Sequence, residues 1–354
     1  MAVGFPAKTT YATGDVLTAT DVNDITGTLN LLQSTLYPAG RNKLINGKFD
    51  IWQRGTGTFS TDGAYTADRW ILNLSGATAG VTRQSFTVGQ TDVPNNPDYF
   101  LRLAVTTGDN GCRIAQKIEN VATFAAETVT ISFYAKGTNP ASGSLEIYCS
   151  QDFGSGGSAV VATLAGSIVL TSSWQRFTKT VTLPSISGKT VGTSSFLSVQ
   201  IQQPTADTGI AAWTLDLSSV QIENGSTASP FQTASGSIGG ELALCQRYYY
   251  RNTGGQAYSR IGFGLGQTTT NGQIVVNLPV TMRTAPTAVD YSTLALYDGT
   301  TITAVTSVVL SGGAIGPTVV TLDCAVASGL TVFRPYELAN NNSTSAYVGL
   351  SAEL

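Results

Sequence analysis

Short runs of alternating residues carry the side chains most able to do chemistry. Arg113 and Lys117 share one parity, Glu146 and Tyr148 another, Gln200 and Gln202 a third, and Tyr134 stands on the polar side of Thr128–Ala135. On one sheet face these would form a sugar-binding surface. Aromatic rings accept the apolar faces of pyranoses, while amides, guanidinium and carboxylate pair with hydroxyls. The plainer reading of the same set is a solvated or subunit-facing sheet surface. A second candidate is the stretch Arg334-Pro335-Tyr336 with Asn340 to Ser343, where Tyr336 and Asn341 would sit on a loop. Loops at an exposed tip carry recognition more often than sheets do.

Reaction chemistry finds less to work with. The chain has no histidine, which removes the commonest general base, the usual serine-protease relay and most zinc sites. Gly262-Phe263-Gly264-Leu265-Gly266 lacks the spacing of a dinucleotide fingerprint, and Gly154 to Gly157 reads as a loop. Glycoside cleavage needs two carboxyls about 5–9.5 Å apart. Asp68, Glu146, Asp216 and Glu223 each have a structural use instead, so the expectation is a protein that is not an enzyme. Cys112, Cys149, Cys245 and Cys324 make no metal-ligand spacing. Cys149 shares parity with Leu145 and Ile147 and reads as a buried thiol.

The elements that must position these residues are strands. Val129, Ile131, Phe133 and Ala135 alternate with Thr and Tyr; Leu145, Ile147 and Cys149 alternate with Glu146 and Tyr148; Ile114 and Ile118 alternate with Arg113 and Lys117. Period-two patterns with one polar face predict antiparallel sheets buried on one side. In Trp213 to Ile222 the apolar parity changes between Leu217 and Val220, which predicts a bulge at Ser218-Ser219. Trp52, Trp70, Trp174 and Trp213 read as core. The fold expected is mainly β: an N-terminal arm and short helix (1–40), a β-sandwich jelly roll (41–233), and a second small β-sandwich or barrel (234–354). Thr233 to Gly240 reads as a small, flexible linker. Glu241 to Arg251 reads as a short helix, and strands are expected at Gln273–Val280, Val319–Cys324, Leu330–Phe333 and Ala346–Ala352. Asp298-Gly299 signals a two-residue hairpin.

In the arm, Thr18 or Thr20 can cap a helix with Asp21 in its first turn. Val22, Ile25, Leu29, Leu32 and Leu36 then follow heptad spacing. Two heptads do not stand alone, so the seam calls for oligomerisation or docking, with packing on its own domain as the alternative.

Charged residues make up 12% of the chain, about half the ~25% usual in globular proteins. With a net charge of −3 and scattered Lys and Arg, phosphate-mediated binding of nucleic acid is not expected. Nor is membrane insertion, since no apolar run reaches spanning length. The first thirty residues lack the pattern of a secretory signal, so synthesis in a cytoplasm is expected.

Two phrases frame the jelly roll: Asn46-Gly47-Lys48-Phe49-Asp50-Ile51-Trp52-Gln53-Arg54-Gly55-Thr56 with Tyr65 to Trp70, and Leu215-Asp216-Leu217-Ser218-Ser219-Val220-Gln221-Ile222-Glu223-Asn224-Gly225 running on to Ser229-Pro230-Phe231. They resemble the first and last strands of the carbohydrate-binding-module-like jelly roll of bacteriophage tail proteins. Phe5 to Asn23 resembles the attachment segment of such proteins. Glu241 to Tyr249, Met282 to Thr287 and the closing Ser351 to Leu354 resemble other phrases of tail fibres. The resemblance implies a virion appendage, a homotrimer held to other virion proteins by residues 1–40, which adsorbs to a host surface polysaccharide. It also implies a structural calcium near the first and last strands, at Asp50 and Asp216, although Leu217 stands where such proteins often carry a second acidic residue. The alternatives are a purely structural head-decorating fibre or tail adaptor, and a polysaccharide depolymerase.

Overall fold

Alternation of apolar and polar side chains builds the first half of the chain into two facing sheets. The computed structural model describes residue 18 and residues 40–107, 111–204 and 211–354; the heptad run from Val22 to Leu36 lies outside them. The strands are β1 (Trp70–Leu74), β2 (Thr78–Ser85), β3 (Tyr99–Thr107), β4 (Cys112–Glu119), β5 (Thr128–Gly137), β6 (Leu145–Asp152), β7 (Val161–Ile168), β8 (Gln175–Thr182), β9 (Phe196–Gln202) and β10 (Trp213–Asn224). They pair antiparallel in a front sheet, β1-β4-β9-β6-β7, and a back sheet, β2-β3-β10-β5-β8. This is the jelly-roll sandwich that the alternation demands.

Between the sheets, Ile114, Ile131, Phe133, Ile147, Cys149, Leu215 and Val220 are fully buried. Each large apolar side chain so placed contributes about 1.5–3 kcal/mol relative to exposure. The pairing of β10 with β5 shifts register between Ser218 and Gln221, and Ser219 takes a φ of 55°. That bulge puts Trp213, Leu215, Leu217, Val220 and Ile222 all on the core side. Trp52 and Trp70 are likewise buried. Trp174, expected in the core, is instead half-buried against Phe86 and Phe100.

The two framing phrases meet in space and close the sandwich. The Asn42 amide satisfies four backbone groups: Oδ1 accepts from Leu44 N and Ile222 N, and Nδ2 donates to Val220 O and Gln232 O. Gly47 lies so close to β10 that a Cβ there would stand 2.1 Å from Val220 O. Glu223, 1% exposed, pairs with Arg41 and accepts from Ser229 N, Ser229 Oγ and Gln221 Nε2.

Thr233–Gly240, expected to be a flexible linker, is fixed. Glu241 accepts from Ser235 N through one carboxylate oxygen and from Asn46 N through the other. Ser237 caps the helix α1 (Ile238–Gln246) by accepting from Gly240 N. The helix starts earlier than expected and ends before Tyr248, because Tyr249–Asn252 leaves it to form a strand, β11.

The rest is β12 (Arg260–Gly266), β13 (Asn271–Asn277), β14 (Ala288–Ser292), β15 (Leu294–Tyr297), β16 (Ile302–Ile315), β17 (Val319–Val326), β18 (Pro335–Asn340) and β19 (Tyr347–Ser351). Six of them close a barrel, β12-β13-β17-β16-β15-β18, beside a three-stranded sheet, β11-β19-β14. The run Leu330–Phe333, expected as a strand, is a turn with Phe333 at φ 63°, and the strand begins at Pro335. The hairpin at Asp298-Gly299 forms, but with a four-residue loop, since Tyr297 pairs with Ile302. Asp298 Oδ1 accepts from Thr300 N and Thr301 N there, which holds its carboxyl down at about 2.

Sandwich and barrel have separate cores joined by a polar seam. Arg69, 1% exposed, stacks on the Tyr248 ring, donates to Lys117 O and pairs with Glu353. Arg54 lies over the Tyr249 ring and pairs with Glu353, and Gln53 donates to Tyr249 O.

Candidate functional site: a groove on the front sheet

The outward face of the front sheet is a set of cross-strand rows. Arg113 pairs with Gln202, and Gln202 with Glu146; Ala115 pairs with Gln200, and Gln200 with Tyr148; Lys117 pairs with Ser198, and Ser198 with Ser150. On β1, Asn73 opposes Arg113 and Ile71 opposes Ala115. On β7, Leu164 opposes Tyr148 and Ala162 opposes Ser150. Strands lie about 4.8 Å apart, so a row crossing all five spans about 19 Å.

Over these rows runs an open groove of 580 Å³, lined among others by Asn73, Arg113, Tyr148, Ser198, Gln200 and Gln202. A second hollow of 310 Å³ shares Asn73, Arg113 and Gln202 with it and continues past them to Asp62 and Ser75.

Polar groups in the groove hold one another in place without being consumed. Arg113 Nε donates to Asn73 Oδ1 at 3.2 Å, and Gln200 Nε2 donates to Ser150 Oγ and Ser198 Oγ at 3.2 and 3.3 Å. Desolvation, and then the Glu146 carboxylate that accepts its hydroxyl, hold the Tyr148 phenol above its ordinary value. Lys117 is more committed. Its ammonium lies 4.6 Å from the Phe196 ring centroid and donates to Leu354 O, and burial lowers its pKa. Glu119, at the end of the same strand, is taken up by Arg247 and Tyr248.

Of the residues expected on this face, Arg113, Lys117, Glu146, Tyr148, Gln200 and Gln202 are brought together. Tyr134 is not. It points outward from the back sheet, between Ser218 and Arg176, because β5 belongs to the other layer. Tyr336, expected on a loop, is 3% exposed in the barrel core, its hydroxyl accepting from Thr331 N. Parity along β18 turns it inward with Leu338. Asn341 follows that strand half-buried, its backbone held by Thr293 O. Ser198, Ser150, Asp152 and Phe196 line the groove but were passed over in the sequence; parity with Gln200 and Tyr148 was the signal for them.

Asp216 spends both carboxylate oxygens on Arg102, at 2.6 and 2.7 Å. Asp50 has one buried oxygen without a hydrogen bond, and burial is the main cause of its raised pKa, partly offset by the charge of Lys48 and reinforced by those of Asp98 and Glu241. Among the described residues no group of three or more His, Cys, Asp or Glu side chains could hold a metal ion.

No family model matches the sequence, and no curated protein matches it. Among solved structures the chain is similar in fold to the xylan-binding CBM22-1 domain of Paenibacillus barcinonensis Xyn10C, at 18% identity over 54% of this chain and 99% of that one, with a TM-score of 0.31. It is similar to the CBM22-1–GH10 modules of the Clostridium thermocellum xylanase 10B, at 10% identity over 53% of this chain but 29% of that one, TM-score 0.33. It is similar also to the enzymatically active domain of bacteriophage CBA120 tailspike protein 4, at 12% identity over 52% of this chain and 22% of that one, TM-score 0.31. These likenesses concern the fold and do not decide what this chain binds.

Proposed function

We propose that the chain is a glycan-binding protein that lays a polysaccharide segment along the front-sheet groove. The observation that carries this reading is the register itself. Arg113, Gln202, Glu146, Gln200 and Tyr148 come from three strands distant in sequence and meet on one outward face, where all but Glu146 line the groove and all but the buried Gln202 are half-buried or exposed. Tyr148 offers a ring face, the two glutamines and Asn73 offer amides, and Arg113 and Glu146 offer charge-assisted hydrogen bonds. Extended grooves of this kind suit a flexible chain read at several points, each contact weak.

Binding without cleavage is the version the groove favours. Glu146 and Asp152 are six residues apart on one strand, about 20 Å, well beyond the ~5–9.5 Å that glycoside hydrolysis requires. Glu119 already serves Arg247 and Tyr248.

The larger role we propose is adsorption of a virion appendage to a bacterial surface glycan, as a trimer anchored by residues 1–40. Support for it comes from the tail-fibre phrases at 5–23, 46–56, 241–249 and 282–287. Multiple copies would raise avidity by about 10²–10⁴ where geometry permits. The test is affinity electrophoresis through gels containing purified bacterial capsular and O-antigen polysaccharides, with the mass of the protein measured in solution. Retardation by at least one polysaccharide, abolished by Tyr148→Ala, is the expected result. Migration indifferent to every polysaccharide, or to the substitution, would remove the groove reading. A monomeric mass would remove the trimer.

A further inference from the structure

The barrel carries a pocket of its own. It has a volume of 190 Å³ and is lined by Tyr258, Arg260, Tyr297, Ile302, Ala339 and Asn340, with Ala295 at its base. That volume is below the ~300–1,000 Å³ of pockets for drug-sized ligands and suits a single ring.

Three features mark it as built. Tyr258 stands 42% exposed at a φ of 65°, a left-handed conformation rare for a bulky residue and a pointer to function where it occurs. Arg260 is anchored by Glu337 and by Tyr258 O, and its guanidinium carbon lies 4.6 Å from the Tyr297 ring centroid. Tyr297 is in turn fixed by its hydroxyl, which donates to Gly299 O at 2.7 Å. Beneath them Asn340 is fully buried. Its Nδ2 donates to Thr253 O and Gln256 O, which holds the loop that presents Tyr258, while its Oδ1 has no hydrogen-bond partner. A buried acceptor without a donor in an otherwise satisfied site calls for a partner from outside.

We infer that this pocket is a second carbohydrate site, for one neutral pyranose unit. Tyr258 supplies the open ring face for stacking, Ile302 and Ala339 the apolar wall, and Arg260 the donor to ring hydroxyls. Glu337 already balances the Arg260 charge, so a neutral sugar fits better than an acidic one. The site shares no residue with the groove and stands whether or not the groove binds. With both sites working, one chain would hold a glycan at two points, and the second contact would be intramolecular.

The experiment is saturation-transfer NMR with the methyl glycosides of glucose, galactose, mannose, N-acetylglucosamine and rhamnose. It compares the unmodified chain with Tyr258→Ala, Ile302→Trp and Tyr148→Ala. Ile302 is 46% exposed, so Trp fills the mouth of the pocket without entering the core, and this variant decides the matter if Tyr258→Ala alters melting. At least one glycoside should give ring-proton transfer that survives Tyr148→Ala and falls at least five-fold in Ile302→Trp. Transfer from none of the five would overturn the inference. So would transfer lost in Tyr148→Ala and kept in Ile302→Trp, a result that leaves the groove standing. Transfer that persists in Tyr148→Ala while polysaccharide retardation is also unchanged by that substitution would sink the groove and keep this site.

Discussion

Two polar regions of the sandwich use the same residue types to opposite ends. Where the framing phrases meet, Asn42, Gln221, Glu223, Arg41 and Ser229 are bonded to one another or to backbone, and Asn42, Gln221, Glu223 and Ser229 are at most 3% exposed. In the groove, Asn73, Gln200 and Arg113 are ordered by a few hydrogen bonds, Gln200 leaning on the buried Ser150, and stay partly or fully exposed. Satisfaction of hydrogen-bonding capacity, not residue type, separates the closing staple from the binding surface. The phrases that carry the resemblance to tail proteins thus belong to the part that closes the fold, and the groove is written in residues that resemble nothing in particular.

The largest test of the contrast is on the staple. Glu223→Ala removes one carboxylate: it strands the buried Ser229 N, takes one acceptor from the buried Gln221 Nε2 and ends the ion pair with Arg41. Leaving buried donors without partners costs about 1–3 kcal/mol each for the worst placed, and the whole change should cost about 3 kcal/mol. Urea unfolding should show the midpoint fall at unchanged slope, with polysaccharide retardation intact below the transition. A stability loss under 1 kcal/mol would mean that the staple is ornamental.

The converse test is on the groove. Arg113→Ala, at an exposed position, should leave unfolding within about 0.5 kcal/mol of the parent and weaken polysaccharide binding about ten-fold, some 1.4 kcal/mol. Loss of both stability and binding would erase the distinction between the two regions. A smaller effect is expected for Ser150→Ala, about two- to three-fold in affinity, because Ser150 only steadies Gln200.

Much of this was legible from alternation. Parity placed Arg113, Glu146, Tyr148, Gln200 and Gln202 on outward faces and located the bulge at Ser218-Ser219. Parity says nothing of which sheet a strand joins, and Tyr134 was misplaced for that reason: β5 pairs with β8 and β10 across gaps of tens of residues. Tyr336 misled because Arg334-Pro335 looks like a turn, while the strand begins at that proline, on the barrel wall. The pocket around Tyr258 was not legible at all, since its residues come from four separate segments between 258 and 340. The seam is more remote still: Arg69 meets Glu353 across 284 positions, and nothing local in either residue announces it.

The seam lies between staple and groove in character, and it offers the finest test. It is buried, yet Arg54 Nη1, Arg69 Nε and Arg251 Nε lack partners. At its edge Asp68 is 1% exposed and accepts from Gln53 N and from the Gln53 side chain. Burial, partly offset by those hydrogen bonds and by Arg54, raises its carboxyl from 3.8 to about 6. A carboxyl raised on folding favours the native state most when protonated. Its contribution is full below pH 4 and is lost as pH rises from the unfolded value through about 6. Between pH 5 and 7.5 that loss comes to about 1.4 kcal/mol, at 1.36 kcal/mol per pKa unit. Asp68→Asn cannot ionise, so the stability difference between variant and parent should move by about that amount in the variant's favour over this interval. Any fixed cost of fitting an amide against Gln53 cancels in the comparison. Parallel pH profiles for the two proteins would show that Asp68 is solvated in the native state, and the seam would then belong with the groove rather than with the staple.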